Sequence, residues 1–404
     1  GAGMEGETFV HSDTTSRREE KGVDTHRPGG SEGEESVSQR YSAGAQAREE
    51  AVCCPVDYDP ECLKVITQEV LDRDYGCGDP SRHVHEGEVV LDLGSGGGKI
   101  AFIAAQIVGA AGRVIGVDMN DDMLALARRA QAEVAMAIGY SNVEFRKGRI
   151  QDLELDLAAV EAWLARHPVR DLASLERFQE ETRRLRRERP LVAAESVDAV
   201  VSNCVLNLVG QDGKVRLFEE IHRVLKRGGR AVISDIVSSR EVPEALRRDP
   251  ELWSGCISGA FQEEAFLAAF ERAGFHGITL EKRDATPWRE VDGIEFRSIT
   301  VIAYKGKEGP CRDEGQALIY RGPFKQVADD DGHVFDRGVP TAVCGKTFRL
   351  LTRTPYQEAF HRLEPAGRID PEEAPPFVCH GGSARRNAEG LLGSDPGSFV
   401  SGCC

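Results

Sequence analysis

The sequence has no excess of basic residues. Its 51 lysines and arginines are outnumbered by 67 aspartates and glutamates, which gives the 404-residue chain a formal net charge of −16. Binding to nucleic acid or to an anionic membrane surface requires a basic surface, so this balance argues against both kinds of partner. The basic run "RRLRRER" (Arg183–Arg189) lies among glutamates at helical spacing, which is typical of a solvated helix face.

Long apolar runs are also absent. No run approaches the roughly 20 residues that a membrane-spanning helix needs. The first residues, "GAGMEGETFV", contain no basic segment followed by an apolar core. We therefore expect no secretory signal and a cytoplasmic protein.

Paired C-x-x-C clusters are missing, although the chain has 11 cysteines. The odd number and the absence of such clusters do not support a structural zinc ribbon, and a reducing compartment disfavours stable disulfides. Two vicinal pairs, Cys53–Cys54 and Cys403–Cys404, and several single cysteines remain to be explained. A buried single cysteine usually behaves as a small apolar residue, and each candidate must be weighed against that interpretation.

Composition divides the chain into four parts. Residues 1–50 are polar and rich in Gly, Ser and Glu, which is typical of disorder. Strand and helix patterns then alternate through a domain at 51–306, which indicates βαβ units and a mainly parallel sheet. The remaining sequence predicts a small β-rich domain at 307–380, with "KTFRLL" as one of its strands, and a flexible tail at 381–404.

Local signals predict where the helices of the α/β domain begin and end. The pattern "PECLKVITQEVLDRDYG" predicts one helix ending at Gly76, and "IAFIAAQIVGAAG" predicts a helix closed by Gly112. Asn120 or Asp121 can cap the helix after the second strand. The charged segment 157–195 is too long for a simple crossover loop, so we interpret it as an insertion carrying one or two helices.

A glycine-rich turn follows the first strand in "VVLDLGSGGGK". Asp92 precedes the glycines, and Asp118 ends the second strand about twenty residues further on. A glycine turn lets the backbone approach a nucleotide closely, and a carboxylate at the end of the second strand can accept both ribose hydroxyls. The combination predicts a nucleotide-binding site.

Three cysteines lie in unusual settings near the carboxyl ends of the predicted strands. Cys204 follows the fourth strand, and Cys77 and Cys256 stand in glycine-flanked loops. Glycines on both sides suit a loop whose side chain points into a cleft. All three cysteines are predicted to lie on the same side of the sheet. This favours one site that they share over three thiols that are packed separately.

The nucleotide-binding pattern resembles the class I S-adenosylmethionine-dependent methyltransferases over residues 87–237, with a nicotinamide enzyme as the alternative. The resemblance implies a Rossmann-like α/β sheet, to which the β-rich domain predicted from composition is appended, and S-adenosylmethionine as cofactor. It also implies that Asp152 lies near the adenine. The residues that we expect to bind the cofactor are Tyr75, Asp92, Gly94, Ser95, Gly96, Asp118, Met119, Arg149, Ile150 and Asn203.

More of the sequence resembles the arsenite methyltransferases. The motifs are "YGCG", "LDLGSG", "GVDM", "VVSNCVLNLV", "RVLKRGGR" with "SD" shortly after, and "LWSGCISGA". The resemblance implies that the thiolates of Cys77, Cys204 and Cys256 bind trivalent arsenic, whose lone pair attacks the methyl group. It further implies a redox disulfide between Cys77 and either Cys53 or Cys54, with thioredoxin or glutathione as the reductant.

The chain departs from that family's pattern at two positions and by one insertion. Gly255 stands where the family commonly has Glu, and Asp74-Tyr75 where it has Tyr-Tyr; the insertion at 157–195 could cover the cleft or admit a larger substrate. These departures leave open an organoarsenical, a selenium or tellurium species, or a small organic thiol as acceptor. A non-catalytic metalloid-binding protein is the other alternative, and the intact glycine turn and its two acidic neighbours argue against it.

Overall fold

The computed structural model describes residues 39–40, 56–365, 367 and 369–379. Within the first of these stretches, Arg40 donates from Nη1 to the carbonyl oxygen of Glu251 at 3.1 Å. Most of the segment predicted to be disordered, the tail at 381–404 and both vicinal cysteine pairs lie outside the described residues. The predicted domain boundary at residue 306 stays a prediction.

Nine strands of the described chain form one sheet in the order β3-β2-β1-β4-β5-β9-β7, with β6 paired to β5 and β8 to β9. Strands β1 to β5 run parallel, and β9 runs antiparallel to both β5 and β7. The strands are β1 Val89–Leu93, β2 Arg113–Asp118, β3 Val143–Lys147, β4 Val197–Asn203, β5 Leu225–Ser238, β6 Phe261–Gln262, β7 His276–Arg283, β8 Arg289–Val291 and β9 Ile294–Tyr304.

Both faces of this sheet are buried, as expected for parallel strands covered by helices. Along β1, Leu91 and Leu93 pack into one apolar cluster, whereas Val90 packs into another. Successive side chains of a strand point to opposite faces, so the apolar run of β1 contributes to both layers. The covering helices are α1 Pro60–Leu63, α2 Gln68–Asp72, α3 Lys99–Val108, α4 Asp121–Ile138, α5 Leu157–Leu164, α6 Leu172–Glu188, α7 Gln211–Val224, α8 Glu244–Arg247, α9 Pro250–Ser254 and α10 Glu263–Arg272.

The helix boundaries differ from the sequence predictions in two places. The single helix predicted up to Gly76 is two short helices, because Thr67 is extended and starts α2 as its N-cap. Two β-branched residues directly precede it, and their restricted side chains weaken the helix there. Helix α3 ends at Gly109, which has φ +70°, rather than at Gly112. Asn120 caps α4 as predicted, since its side chain accepts the N–H of Met123.

The C-terminal part carries two small sheets, which agrees with the predicted β-rich character. Their strands are β10 Ala317–Tyr320, β11 Gln326–Ala328, β12 Val334–Asp336, β13 Pro340–Ala342 and β14 Phe360–Leu363. The strand predicted at "KTFRLL" is instead part of helix α11 Gly345–Leu351. Thr347, Phe348 and Leu351 of this helix are buried at helical spacing, which outweighs the β-branched and aromatic composition of the segment.

None of the helices in the described ranges has the length and apolar character that a membrane crossing requires.

Candidate active site

A cleft opens at the carboxyl ends of β1 and β4. The strand order changes direction at this pair, and open α/β sheets bind their ligands at such a switch point. Asp92, Ser95, Asp118 and Cys204 all line the cleft. Predicted cofactor residues and one of the predicted thiols therefore share a single cavity.

The turn after β1 requires glycine at two positions. Gly94 has φ +67°, and a Cβ atom there would lie 2.7 Å from the side chain of Val205. Gly96 has φ +51°, and its N–H donates to Asp118 Oδ2 at 2.9 Å. Glycine adopts such conformations without steric cost, so the turn brings bare backbone to the cleft.

Two buried polar atoms at this turn lack a hydrogen-bond partner among the described residues. Asp92 is 2% exposed, and neither its Oδ2 atom nor the Oγ atom of Ser95 is hydrogen-bonded to another described residue. Burial, followed by the carboxylates of Asp118 and Asp74, raises the pKa of Asp92 well above its usual value. A buried carboxylate is costly unless a ligand supplies a donor or a positive charge. The cleft therefore fits a ligand with a cationic group, such as the ammonium of an amino-acid moiety.

Asp118 lies at the end of β2 on another wall of the cleft. Its Oδ1 atom accepts the N–H of Asn120 at 2.8 Å, and burial raises its pKa. These backbone contacts fix the carboxylate in one orientation. A carboxylate in this place can accept the vicinal hydroxyls of a ribose.

Most of the other expected cofactor residues also reach the cleft, but one does not. Tyr75, Met119, Ile150 and Asn203 are among its lining residues, whereas Arg149 is exposed and lies outside it. The N–H of Asp152 bonds to the Arg149 carbonyl at 3.0 Å. This tight turn directs Ile150 and its neighbour inward and the two flanking residues away.

The residue predicted near the adenine is engaged elsewhere. The carboxylate of Asp152 pairs with Arg186 at 2.5 Å and with Arg216 at 2.8 Å, and Gln151 lines the cleft instead. Arg186 belongs to α6, so the insertion packs against the outer side of this turn. No residue of 157–195 is among the lining residues of the cleft.

The loop that carries Cys77 is held by the last residue of β4. The side-chain oxygen of Asn203 accepts the N–H of Cys77 at 3.0 Å and that of Gly78 at 3.1 Å. The Asn203 amide donates in turn to the carbonyl of Gly78 at 2.8 Å, and the Tyr58 hydroxyl donates to the same carbonyl at 3.1 Å. Cys77 is only 1% exposed as a result.

Cys204 and Cys256 both adopt left-handed backbone conformations. Each has φ +64°, a region that residues with a Cβ atom rarely occupy. The N–H of Cys204 donates to the Ser234 carbonyl at 2.7 Å, and the side chains of Cys204 and Cys256 are 5% and 3% exposed. Such strain persists where the surrounding structure imposes it, and it concentrates at functional sites.

The three predicted cysteines belong to one buried apolar cluster, but their sulfur atoms are not equally placed. The sulfurs of Cys77 and Cys204 and a carboxylate oxygen of Asp235 lie within 4.8 Å of one another. Cys256 is outside this tight group, and its Sγ donates to the Cys204 carbonyl oxygen at 3.2 Å. Cys256 lowers the pKa of Cys204, but Cys77 and burial outweigh it, so the pKa of Cys204 is raised well above the usual thiol value.

Asp235 is the site residue that sequence reasoning missed. It is fully buried near the end of β5, where the "SD" pair after "RVLKRGGR" was its only signal. Its Oδ2 accepts the N–H of Leu206 at 2.9 Å, and its Oδ1 accepts the N–H of Ile236 at 2.8 Å and the side-chain amide of Asn207 at 3.0 Å. Burial raises the pKa of Asp235 to about 7, although these hydrogen bonds favour the carboxylate.

The sheet order, the glycine turn and the two acidic residues define a class I S-adenosylmethionine-dependent methyltransferase. Residues 84–274 match the family described as "Methyltransferase domain", and residues 307–393 match "Domain of unknown function (DUF8838)". The arsenite methyltransferase of Aquipseudomonas alcaligenes is 33% identical over 345 residues, which cover 81% of this chain and 89% of that protein. The chain belongs to the arsenite methyltransferase family.

Two further similar proteins support the same family. The arsenite methyltransferase of Homo sapiens is 29% identical over 315 residues, which cover 74% of this chain and 73% of that protein. A solved arsenic(III) S-adenosylmethionine methyltransferase from Chlamydomonas reinhardtii is 27% identical with a TM-score of 0.52, and the match covers 78% of this chain and 100% of that one. The predictions of the family, the fold class, a methyltransferase and S-adenosylmethionine as cofactor are confirmed.

Proposed function

We propose that the protein transfers methyl groups from S-adenosylmethionine to trivalent arsenic held by the thiolates of Cys77, Cys204 and Cys256. The observation that carries this proposal is the position of Cys204, which lines the cofactor cleft and also belongs to the buried thiol cluster. The names of the relatives support arsenic as the acceptor.

The donor set suits this acceptor. Trivalent arsenic is soft and binds thiolates in preference to nitrogen or oxygen ligands. Two sulfurs already lie close together, and Cys256 would complete the set by turning its Sγ away from the Cys204 carbonyl. The lone pair of the bound arsenic is the nucleophile, so the site needs no general base.

The cofactor supplies a methyl group that a sulfonium activates for displacement. Asp92 would pair with its ammonium group, and Asp118 would accept hydrogen bonds from its ribose. Cys204 lies on the wall of the same cavity, so the residues can hold the arsenic in line with the methyl group. Orientation of the two reactants is then the main source of acceleration.

Each transfer must be followed by a reduction. The arsenic lone pair forms the new As–C bond, and arsenic passes formally from the trivalent to the pentavalent state. The thiolate of Cys53 or Cys54 would then attack the arsenic-bound sulfur of Cys77. A disulfide forms as the As–S bond breaks, and the electron pair of that bond returns arsenic to the trivalent state. Thioredoxin or glutathione in the cytoplasm would reduce that disulfide.

The test is an assay of the purified full chain with S-adenosylmethionine, thioredoxin and its reductase, and arsenite, selenite or methylarsenite in parallel. We expect methylated arsenic from arsenite and a loss of at least a hundredfold for Cys204→Ser, with S-adenosylmethionine binding retained. Cys62→Ser is the matched control, because Cys62 is a free, half-buried thiol outside the cluster. Methylation of selenite or methylarsenite without methylation of arsenite would show that the acceptor is wrong.

A further inference from the structure

The C-terminal part of the chain contains a second cluster of three thiols. The sulfur atoms of Cys311, Cys344 and Cys379 all lie within 4.8 Å of one another. Cys344 and Cys379 are buried and Cys311 is half-buried. None of the three lines the cofactor cleft, and they belong to an apolar cluster separate from that of Cys77 and Cys204.

Backbone hydrogen bonds hold the three cysteine-bearing segments together. The N–H of Phe377 donates to the Cys311 carbonyl at 3.0 Å, and the N–H of Gly345 donates to the Arg312 carbonyl at 2.8 Å. These bonds join the segment after β9 to the start of α11 and to the segment that carries Cys379. The cluster is therefore assembled by the main chain and does not depend on the conformation of one loop.

Contacts with Thr347 hold the sulfur of Cys344 in place. Its Sγ accepts the N–H of Thr347 at 3.4 Å and lies 3.2 Å from the Thr347 hydroxyl. A thiolate is the form of cysteine that binds soft ions.

The donor set indicates which class of ion fits. No histidine or carboxylate of the described residues joins the three sulfurs in this group. Structural zinc takes four ligands in a tetrahedron, whereas a three-coordinate thiophilic ion needs only three sulfurs. Ala342 and Phe377 pack against the thiols and supply no oxygen or nitrogen side-chain ligand.

We propose that Cys311, Cys344 and Cys379 form a second three-thiolate site, which binds trivalent arsenic without methylating it. Binding of arsenous acid forms three As–S bonds and releases three water molecules as the three thiol protons pass to its hydroxyl groups, with no change in oxidation state. The choice of arsenic as the ion rests on the proposed function, whereas the three-sulfur geometry does not. Methylation is not expected there, because the residues proposed to bind S-adenosylmethionine line a different cavity.

The test counts arsenic bound per chain. The reduced full-length protein is incubated with arsenite and desalted, and arsenic is measured by mass spectrometry alongside zinc. We expect Cys311→Ser and Cys379→Ser each to bind one arsenic fewer per chain than the intact protein and the Cys62→Ser control. Cys204→Ser should also lose one, and Cys204→Ser combined with Cys311→Ser should lose two.

The vicinal cysteine pairs are present in every variant, so their contribution cancels in these differences. X-ray absorption is then compared between the Cys204→Ser protein and the protein that carries both Cys204→Ser and Cys311→Ser. The arsenic atom that is bound only by the first of these should have three sulfur neighbours. Unchanged stoichiometry in both single variants of the second site, or zinc held at these cysteines in place of arsenic, would overturn the proposal.

Two further readouts separate folding and catalysis from binding. Thermal unfolding and S-adenosylmethionine binding of Cys311→Ser should match the control, because Cys311 is half-buried and lies outside the cofactor cleft. If the intact protein binds the second arsenic but does not methylate arsenite, the proposed function fails and this site stands. If the intact protein methylates arsenite and the number of arsenic atoms bound per chain is unchanged in the variants of the second site, only the proposal of the second site fails.

Discussion

The side-chain oxygen of Asn203 accepts the N–H of Cys77 at 3.0 Å, across 126 positions of the chain. Asn203 is the last residue of β4, and Cys204 follows it directly. The side-chain amide of Asn203 therefore sets the position of the Cys77 thiol relative to that of Cys204. The same side chain lines the cleft, so it joins the thiol cluster to the cavity that we propose binds the methyl donor.

We expect Asn203→Ala to reduce arsenite methylation by about 10- to 100-fold. The substitution removes three buried hydrogen bonds to the Cys77 loop, each worth about 1 kcal/mol. Asn142→Ala is the matched control, because Asn142 donates two hydrogen bonds to carbonyls of the α3 region and belongs to neither the thiol cluster nor the cleft lining. Steady-state kinetics should show a raised KM for arsenite in the first variant only. Equal KM values in the two variants would contradict the positioning role.

Asp235→Asn should weaken arsenite binding and lower stability. The carboxylate accepts hydrogen bonds on both oxygens, and an amide nitrogen cannot accept, so at least one buried donor such as Leu206 N–H loses its partner at a cost of about 1–3 kcal/mol. Asp198→Asn is the control, since Asp198 accepts from Val89 N–H and Lys226 near the amino end of β4. Urea unfolding should show a loss in both variants, whereas arsenite affinity should fall only for Asp235→Asn. Unaltered arsenite affinity would remove Asp235 from the site.

Gly78→Ala should destabilise the protein by about 1–3 kcal/mol, the range for overpacking a filled core. A Cβ atom at Gly78 would lie 2.6 Å from Ser234 Cβ and closer still to its Oγ. Adding Ser234→Gly should recover part of the loss. At Gly255 the nearest atom to a new Cβ is the Glu251 carbonyl oxygen at 3.4 Å, so Gly255→Ala should change stability by less than about 0.5 kcal/mol. Thermal melting of the three variants tests both statements, and equal losses at Gly78 and Gly255 would refute them.

The affinity for S-adenosylmethionine should fall as the pH falls. Burial and two neighbouring carboxylates raise the pKa of Asp92, so the neutral acid persists to a higher pH than usual in the free enzyme. In the proposed binding mode the ammonium of the cofactor pairs with the ionised form, so the affinity reaches its full value above the raised pKa. Below it, affinity drops by up to about tenfold per pH unit, because a proton must be released.

Titration calorimetry between pH 8 and pH 5 measures this slope. Asp92→Asn should bind weakly at every pH and show no slope. A flat profile for the intact protein, or tighter binding at low pH, would contradict the role of Asp92.

Part of the candidate site could be predicted because its signals are local. Gly94 and Gly96 stand in one turn, and Asp118 ends the next strand, so spacing along the chain places them together. The positions of Arg149 and Asp152 outside the cleft lining could not be predicted in this way, since a tight turn decides which of four successive side chains face the cleft. The orientation of such a turn does not follow from composition.

The α/β sheet, the cofactor turn and the family could be predicted from the sequence alone, because strand periodicity, glycine conformation and motif spacing act over short stretches of chain. The three-dimensional fold is what brings Asp235 together with Cys77 and Cys204, and it places the Cys256 sulfur against the backbone carbonyl of Cys204. It also brought together Cys311, Cys344 and Cys379, which share no motif. Side chains far apart in sequence meet only through strand order, loop anchoring and packing, and none of these is encoded in the spacing of the residues themselves.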